Sequence, residues 1–225
     1  MKPEISIIIP AYNESATLNI TLQHTLDTAQ TDRFEIIVVS ADDEEEQATD
    51  ISDSAIRQTY LRSPIARRSS QMNQGAAHAQ GRILLFLHAD TLLPEHWDTL
   101  ILEKKSADYG CFAKTFDDYR LFFRLNAGYC NLRSRMRCYD MGDHAIFVKK
   151  TIFEHIRGYA DLSIMADVDL SKRLCGYRKK MIQTPVITSA RRYQKNGLLK
   201  TWYQNQKIKI MYFFGADDET LSRLR

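Results

Sequence analysis

Ile83-Leu84-Leu85-Phe86-Leu87-His88-Ala89-Asp90-Thr91 is an unbroken apolar run that ends in an imidazole and a carboxylate. Bounded by Gly81 and Pro94, it reads as a strand buried on both faces. Ligands of open α/β sheets collect just beyond the carboxyl ends of such strands. Residues two apart in extended chain point the same way, so His88 and Asp90 are expected to face one small site together. An imidazole and a carboxylate there suit a metal-bound phosphate.

The chain upstream repeats this pattern. Ile5 to Pro10 and Phe34 to Val39 are further apolar strands, and Ile56 to Tyr60 is a short third one. Between the first two, Ser15 is placed to cap a helix whose apolar stripe is Leu18, Leu22, Leu26 and Ala29. The second strand runs into Ser40-Ala41-Asp42-Asp43 and an acidic helix start, as the helix dipole favours. Ser69 or Ser70 caps a helix carrying Met72, Ala76 and Ala79 on one face. Strands alternating with helices predict a mostly parallel sheet with right-handed crossovers. Residues 1–95 thus read as a Rossmann-like, nucleotide-binding half.

Residues 96–225 are less regular. Strands are predicted at Cys111 to Phe116, Ala145 to Val148 and Val186 to Ala190, and a short helix at Asp167 to Cys175. Leu121, Phe122, Leu125, Tyr129, Leu132 and Met136 form one helical stripe; Leu199, Trp202, Tyr203, Ile210 and Phe214 form another. No repeat or long linker separates the parts, so residues 1–225 are read as one α/β domain with two functional halves.

Bulk properties narrow the function classes. With 225 residues, 44% hydrophobic and 26% charged, the chain has an ordinary globular composition. Its net charge of +3 is too small, and its Lys/Arg too dispersed, for a nucleic-acid binder. A mildly basic surface does suit phosphate-bearing ligands or an anionic membrane face. Cys111, Cys130, Cys138 and Cys175 form no C-x-x-C pair, and no leader precedes the first strand. Reduced thiols and a cytoplasmic location follow as expectations. No apolar run has the length of a membrane span.

The ordered series of short motifs resembles the family 2 glycosyltransferases, which have the GT-A fold. Its pieces are Ile7-Ile8-Ile9-Pro10-Ala11-Tyr12-Asn13-Glu14, then Arg68 and Gln71-Met72-Asn73-Gln74-Gly75-Ala76, then Leu85 to Thr91. Met141-Gly142-Asp143, Phe147-Val148, Gly158-Tyr159, Met165 to Leu170 and Thr188 to Arg192 extend the match along nearly the whole chain. This set resembles one bacterial branch, the selenodomain-associated type 2 transferases. The resemblance implies transfer of a sugar from a nucleotide-diphosphate donor, with inversion, using a divalent cation (Mg2+ or Mn2+).

It also implies roles. A departing diphosphate accumulates negative charge that a divalent cation neutralises through hard oxygen ligands. Asp90 is the first candidate ligand. Many family members have Asp-x-Asp here, whereas this chain has His88-Ala89-Asp90; His88 ligates the metal, bonds a phosphate, or only orients Asp90, and the alternative is a satisfied core histidine with a turn-capping aspartate. Ala89 sits within this donor-binding segment. Pro10, Tyr12, Asn13 and Glu14 form the loop that touches the nucleotide in the family; the alternative is that Asn13 and Glu14 simply start the helix. Asp42, at the end of the second strand, is placed to accept hydrogen bonds from base or ribose. Arg68 is a candidate for phosphate or ribose, with Asn73 beside it. Arg191 and Arg192 end a strand where cations could meet the diphosphate, one of the two facing solvent because neighbouring strand residues point to opposite faces.

Asp167 is the candidate base that takes the acceptor hydroxyl's proton. The family has Glu-Asp here and this chain has Ala166-Asp167, which bears on acceptor binding. The alternative for Asp167 is a helix N-cap. Asp143 and His144 are candidates on the acceptor side, or residues of a turn before the next strand. The acceptor itself (saccharide, lipid or small molecule) is not readable. The aromatic and basic segment from Lys195 to Phe214 suits packing on its own domain or a second subunit, or a peripheral contact with the inner membrane face. A nucleotidyltransferase, or a sugar-nucleotide-binding protein without turnover, are the competing readings.

Overall fold

A computed structural model of the chain describes residues 2–41, 56–136 and 139–224. Asp42 and the acidic run after it lie outside the described residues. In chain order the elements are β1 (Ile5–Ala11), α1 (Ser15–Asp27), β2 (Phe34–Ser40), β3 (Arg57–Arg62), α2 (Arg68–His78), β4 (Ile83–Phe86), β5 (Thr91–Leu92), α3 (Trp97–Leu102), β6 (Tyr109–Phe116) and α4 (Leu121–Met136). A 3-10 turn at Gly142–His144 precedes β7 (Ile146–Lys149), α5 (Lys150–His155), α6 (Ala166–Arg173), β8 (Lys179–Thr188), α7 (Arg191–Asn196), α8 (Leu198–Phe213) and α9 (Asp218–Ser222). The strands form one eight-stranded sheet in the order β3-β2-β1-β4-β7-β6-β8-β5.

Burial on both faces accounts for the apolar runs. Ile7, Ile9, Ile36, Val38, Leu85 and Leu87 enter one core layer, with Leu18 and Leu22 of α1 and Trp97 of α3. The intervening Ile8, Ile37, Val39, Leu84 and Phe86 enter the other, with Met72 and Ala76 of α2 and Phe153 of α5. Side chains on both faces of these strands meet apolar neighbours, so period-two alternation disappears from the sequence. Strands β1 to β4 are mutually parallel, and β7 runs antiparallel between β4 and β6. Phe86 pairs with Ile146, which sets the turn before β7 beside the carboxyl end of β4. This register makes the site.

Several local expectations change. Helix α2 starts at Arg68 with Arg67 as its cap, and the Ser69 hydroxyl instead donates to the Leu162 carbonyl, 2.9 Å away. In α4 the buried residues are Phe123, Ala127, Cys130 and Ser134. Of the expected stripe, Leu121, Leu125, Tyr129, Leu132 and Met136 lie outward and exposed, while Phe122 is half-buried against Phe123 and Tyr193. Both faces of α4 carry apolar residues, so periodicity finds the helix without choosing its buried side. The smaller side chains face the sheet, where they permit close packing on β6. Likewise Leu199, Trp202, Tyr203, Ile210 and Phe214 are exposed, and the segment forms two helices broken at Gly197, whose φ is 87°. Cys175 is disulfide-bonded, contrary to the expected reduced thiols, whereas Cys111 and Cys130 are free. Sequence spacing does not report which cysteines the fold makes neighbours. Among the described residues, no helix is long and apolar enough to cross a membrane.

Candidate active site

Strand β4 ends at Phe86, two residues before the histidine, so His88 and Asp90 are not strand neighbours sharing a face. They occupy a tight turn in which the Thr91 N–H donates to the His88 carbonyl, 3.1 Å away. The turn is tied down by the Thr21 hydroxyl, 2.7 Å from the Ala89 carbonyl, and by the Ser189 N–H, 3.2 Å from the Asp90 carbonyl. Ala89 is buried beneath the turn. The outcome resembles the expected one by a different route: the turn brings both side chains to the wall of one cavity of about 270 Å3.

Three carboxylates line that cavity: Asp90, Asp143 and Asp167. Burial pushes the Asp90 carboxyl above the usual carboxylate range; Arg68 and Arg191 pull it down and the nearby Asp143 pushes it up. Asp167 is the second residue of α6, whose cap is Met165 in a left-handed conformation with φ 61°, so Asp167 is not the N-cap. Its Oδ2 accepts the Gly142 N–H at 2.5 Å and its Oδ1 the Val168 N–H at 2.9 Å. Burial raises its carboxyl despite these bonds, and the charge of Asp143 adds to the effect. Gly142 touches both sides of the site. A Cβ on it would lie 2.3 Å from His88 Nε2 and 3.5 Å from Asp167 Oδ2, so only glycine lets the imidazole rest against this peptide.

Asp143 pairs with Lys114 of β6, an ammonium that is itself buried. Burial would raise this carboxyl too, but Lys114, with His144 and His88, reverses the effect and holds it well below the ordinary range. Asp143 Oδ1 is buried without a hydrogen-bond partner among the described residues. His144 does not line the cavity. It is fully buried, its Nδ1–H donates to the Phe112 carbonyl at 3.0 Å, and burial holds its pKa down to about 4.

Arg68, the first residue of α2, reaches the cavity beside Asp90. Arg191 and Arg192 do not end a strand; β8 stops at Thr188 and they open α7. Arg192 lines the cavity, while Arg191 reaches Glu14 Oε1 at 3.4 Å. Asn73 lies beside the cavity and bonds a neighbouring loop. Its amide N–H donates to the Tyr159 carbonyl and its oxygen accepts the Tyr159 N–H, both at 2.9 Å, so it clamps a loop and is not a lining residue. The first loop is likewise outside the cavity lining: Pro10 is buried in β1, Tyr12 is exposed, Asn13 is left-handed with φ 51°, and Glu14 caps α1. Gln71 secures the base of that loop, donating to the Ala11 and Val39 carbonyls at 2.7 and 2.8 Å.

The cavity lining also holds groups not anticipated from sequence: Lys114, Asn126, Asn205 and Lys209. Lys114 had a legible signal, a lysine inside an apolar strand. Lys209 had none. Burial and then the Arg133 guanidinium hold its ammonium below the usual lysine range. Among the described residues no three His, Cys, Asp or Glu side chains are grouped as a metal cage. Asp90 and the unpartnered Oδ1 of Asp143 instead offer the sparse carboxylate set typical of Mg2+ held jointly with substrate phosphates.

The profile of glycosyl transferase family 2 matches residues 6–153. No curated protein matches the chain. Among solved structures, the mannosyltransferase PcManGT from Pyrobaculum calidifontis, in complex with GDP-Man and Mn2+, superposes with a TM-score of 0.69 at 20% identity, covering 94% of this chain and 63% of that one. S. aureus TarS 1–349 in complex with UDP-GlcNAc superposes with a TM-score of 0.65 at 13% identity, covering 84% and 58%. The chain therefore spans less than two thirds of the length of these structures. Its fold is the GT-A fold, and the chain belongs to glycosyl transferase family 2.

Proposed function

We propose that this member of family 2 is a metal-dependent inverting glycosyltransferase that moves a sugar from a nucleotide-diphosphate donor to an acceptor hydroxyl. The observation that carries the proposal is the placement of two carboxyls raised by burial, Asp90 and Asp167, on one cavity with Asp143 between their electrostatic fields. Paired titratable groups in a cleft are a signature of acid–base sites. Asp90 would hold the divalent cation, which supplies charge neutralisation at the diphosphate when bound. Arg68 and Arg192 flank the same end and suit the phosphates. The first loop, with Glu14 tied to Arg191, would border the nucleotide, and so would Asp42.

Asp167 is the proposed base. The acceptor O–H gives its proton to the carboxylate as the oxygen bonds the anomeric carbon. The anomeric carbon–phosphate oxygen bond breaks, and the nucleoside diphosphate leaves with the electron pair. Attack opposite the leaving group inverts the centre. The Gly142 and Val168 N–H bonds fix the carboxylate's orientation, and burial makes it a stronger base than an exposed aspartate.

Thermal unfolding with UDP-GlcNAc and GDP-Man, with and without Mn2+, tests the donor half, since a ligand bound to the folded state raises Tm. Asp90→Ala should remove the Mn2+-dependent part of the shift. Asp167→Asn keeps an acceptor for the Gly142 N–H, so it should retain the shift. It should also lower nucleoside diphosphate release by about 100-fold or more. Undiminished release by Asp167→Asn would remove Asp167 as the base.

A further inference from the structure

Two helices of this protein are apolar on the side that faces away from it. Of the seventeen large hydrophobic side chains exposed among the described residues, eleven lie on α4, on α8 or immediately after α8. On α4 they are Leu121, Leu125, Tyr129, Leu132 and Met136, a row turned opposite to the buried Phe123, Ala127, Cys130 and Ser134. On α8 the row is Leu199, Trp202, Tyr203, Ile210 and Phe213, continued by Phe214, with exposures from 42% at Trp202 to 88% at Phe214. Each row runs the length of a sixteen-residue helix. The helices are neighbours: Asn126 of α4 and Asn205 of α8 both donate to the Tyr193 hydroxyl, at 3.3 and 3.2 Å. Apolar surface concentrated in this way marks a contact with something outside the molecule.

Charge identifies the partner. Residues 121–136 and 198–213, the two helices, hold six of the chain's 31 Lys and Arg and none of its 28 Asp and Glu, leaving 25 basic against 28 acidic residues elsewhere. The protein is thus polarised, with its excess positive charge on the helices that carry the apolar rows. Arg124, Arg135, Lys200 and Lys207 are exposed there. Self-association would bring two such strongly cationic faces together. An anionic lipid surface takes both features: rings and leucines enter the headgroup boundary while lysine and arginine meet the phosphates.

We propose that α4 and α8 dock the protein peripherally on an anionic membrane surface. The inner sides of the same helices contribute Asn126, Cys130, Asn205, Ile208 and Lys209 to the cavity. Docking therefore lays two helices that wall the cavity on the bilayer, a position that suits an acceptor presented at the lipid headgroups.

The test uses the whole chain and two kinds of vesicle: phosphatidylcholine alone, and phosphatidylcholine with phosphatidylglycerol in equal amounts. The chain should sediment with the anionic vesicles, bind the neutral ones at least about tenfold more weakly, and be released by salt. Trp202 is a built-in reporter, because the other tryptophan, Trp97, is fully buried in the core. Its emission should move to shorter wavelength on docking. Leu125→Asp/Leu132→Asp and, separately, Lys200→Glu/Lys207→Glu change only exposed positions, so each should keep the wild-type Tm and lose binding about tenfold or more. The proposal is overturned if the chain does not sediment with anionic vesicles, or if both folded variants sediment as wild type. It is equally overturned if the Trp202 shift arises without lipid, from a concentration-dependent dimer seen by light scattering.

Discussion

Replacing Lys114 with methionine should strand a charge in the middle of the site. Lys114 and Asp143 form an ion pair with only 4% and 25% of their side-chain surfaces exposed. Removing one partner of a buried pair costs about 3–5 kcal/mol, because the survivor keeps its desolvation penalty and loses its compensation. For a chain of this size that corresponds to a fall in Tm of about 6–20 °C. The pH dependence gives a sharper signature. In the native protein Lys114 holds the Asp143 carboxyl below its unfolded value, so this contribution is fully present above a pH of about 4 and is lost as pH falls further. Without Lys114, burial is left as the dominant influence and raises the carboxyl above its unfolded value. The variant is then penalised at neutral pH and relieved as the group takes up a proton. The stability gap between the two proteins should therefore narrow by up to about 1.4 kcal/mol per pH unit as pH falls toward about 4. Urea unfolding at a series of pH values, followed by circular dichroism, measures it. Lys114→Met/Asp143→Asn should recover more than half of the neutral-pH loss. A gap below about 1 kcal/mol at pH 7, or one that does not change with pH, would refute the account.

Three further outcomes follow from the same geometry. Gly142→Ala places a methyl group 2.3 Å from His88 Nε2; unfolding should show a loss of about 1–3 kcal/mol, most of it recovered when His88→Ala is added. Asn73→Ala removes both bonds to the Tyr159 backbone and should cost about 1–3 kcal/mol in urea melts, while the donor-induced shift in Tm is retained because Asn73 does not line the cavity. With Asp167 as the proposed base, nucleoside diphosphate release requires its ionised form. Its acid limb should therefore lie above the ordinary carboxylate range near about 4, and Asp167→Asn should abolish that limb along with the rate.

The fold was largely legible because its strands are buried on both faces. The runs at Ile5, Phe34 and Ile83 are rich in apolar residues on both faces since their side chains enter two core layers. A sheet with one face in water would have written polar residues at alternate positions instead. The helices were less legible. In α4 the residues with the strongest periodicity face solvent, and the buried row is Phe123, Ala127, Cys130 and Ser134, small enough after the phenylalanine to escape a hydrophobic count. Hydrophobicity locates a helix; which side it buries depends on how closely the neighbouring sheet must approach.

The site was legible in its parts and not in its assembly. His88 and Asp90 reach the cavity through a turn and not through strand alternation, so residue types were informative while the inferred geometry was not. Asn73 fell in a matching motif and yet holds a loop, because an amide can satisfy both the N–H and the carbonyl of one residue and Tyr159 presents both. Lys114 shows the reverse case. A lysine in an apolar strand must either reach solvent or find a carboxylate. The strand sequence states that requirement, but the carboxylate that meets it lies 29 residues away, in the turn that β7 carries to the end of β4. That turn ties the site together: Gly142 meets His88 on one side and Asp167 on the other, and Asp143 draws its charge compensation from β6. The three carboxylates of the cavity consequently share an electrostatic field centred on one three-residue turn. A change in the charge of Asp143 should shift the titration of both Asp90 and Asp167, in the same direction.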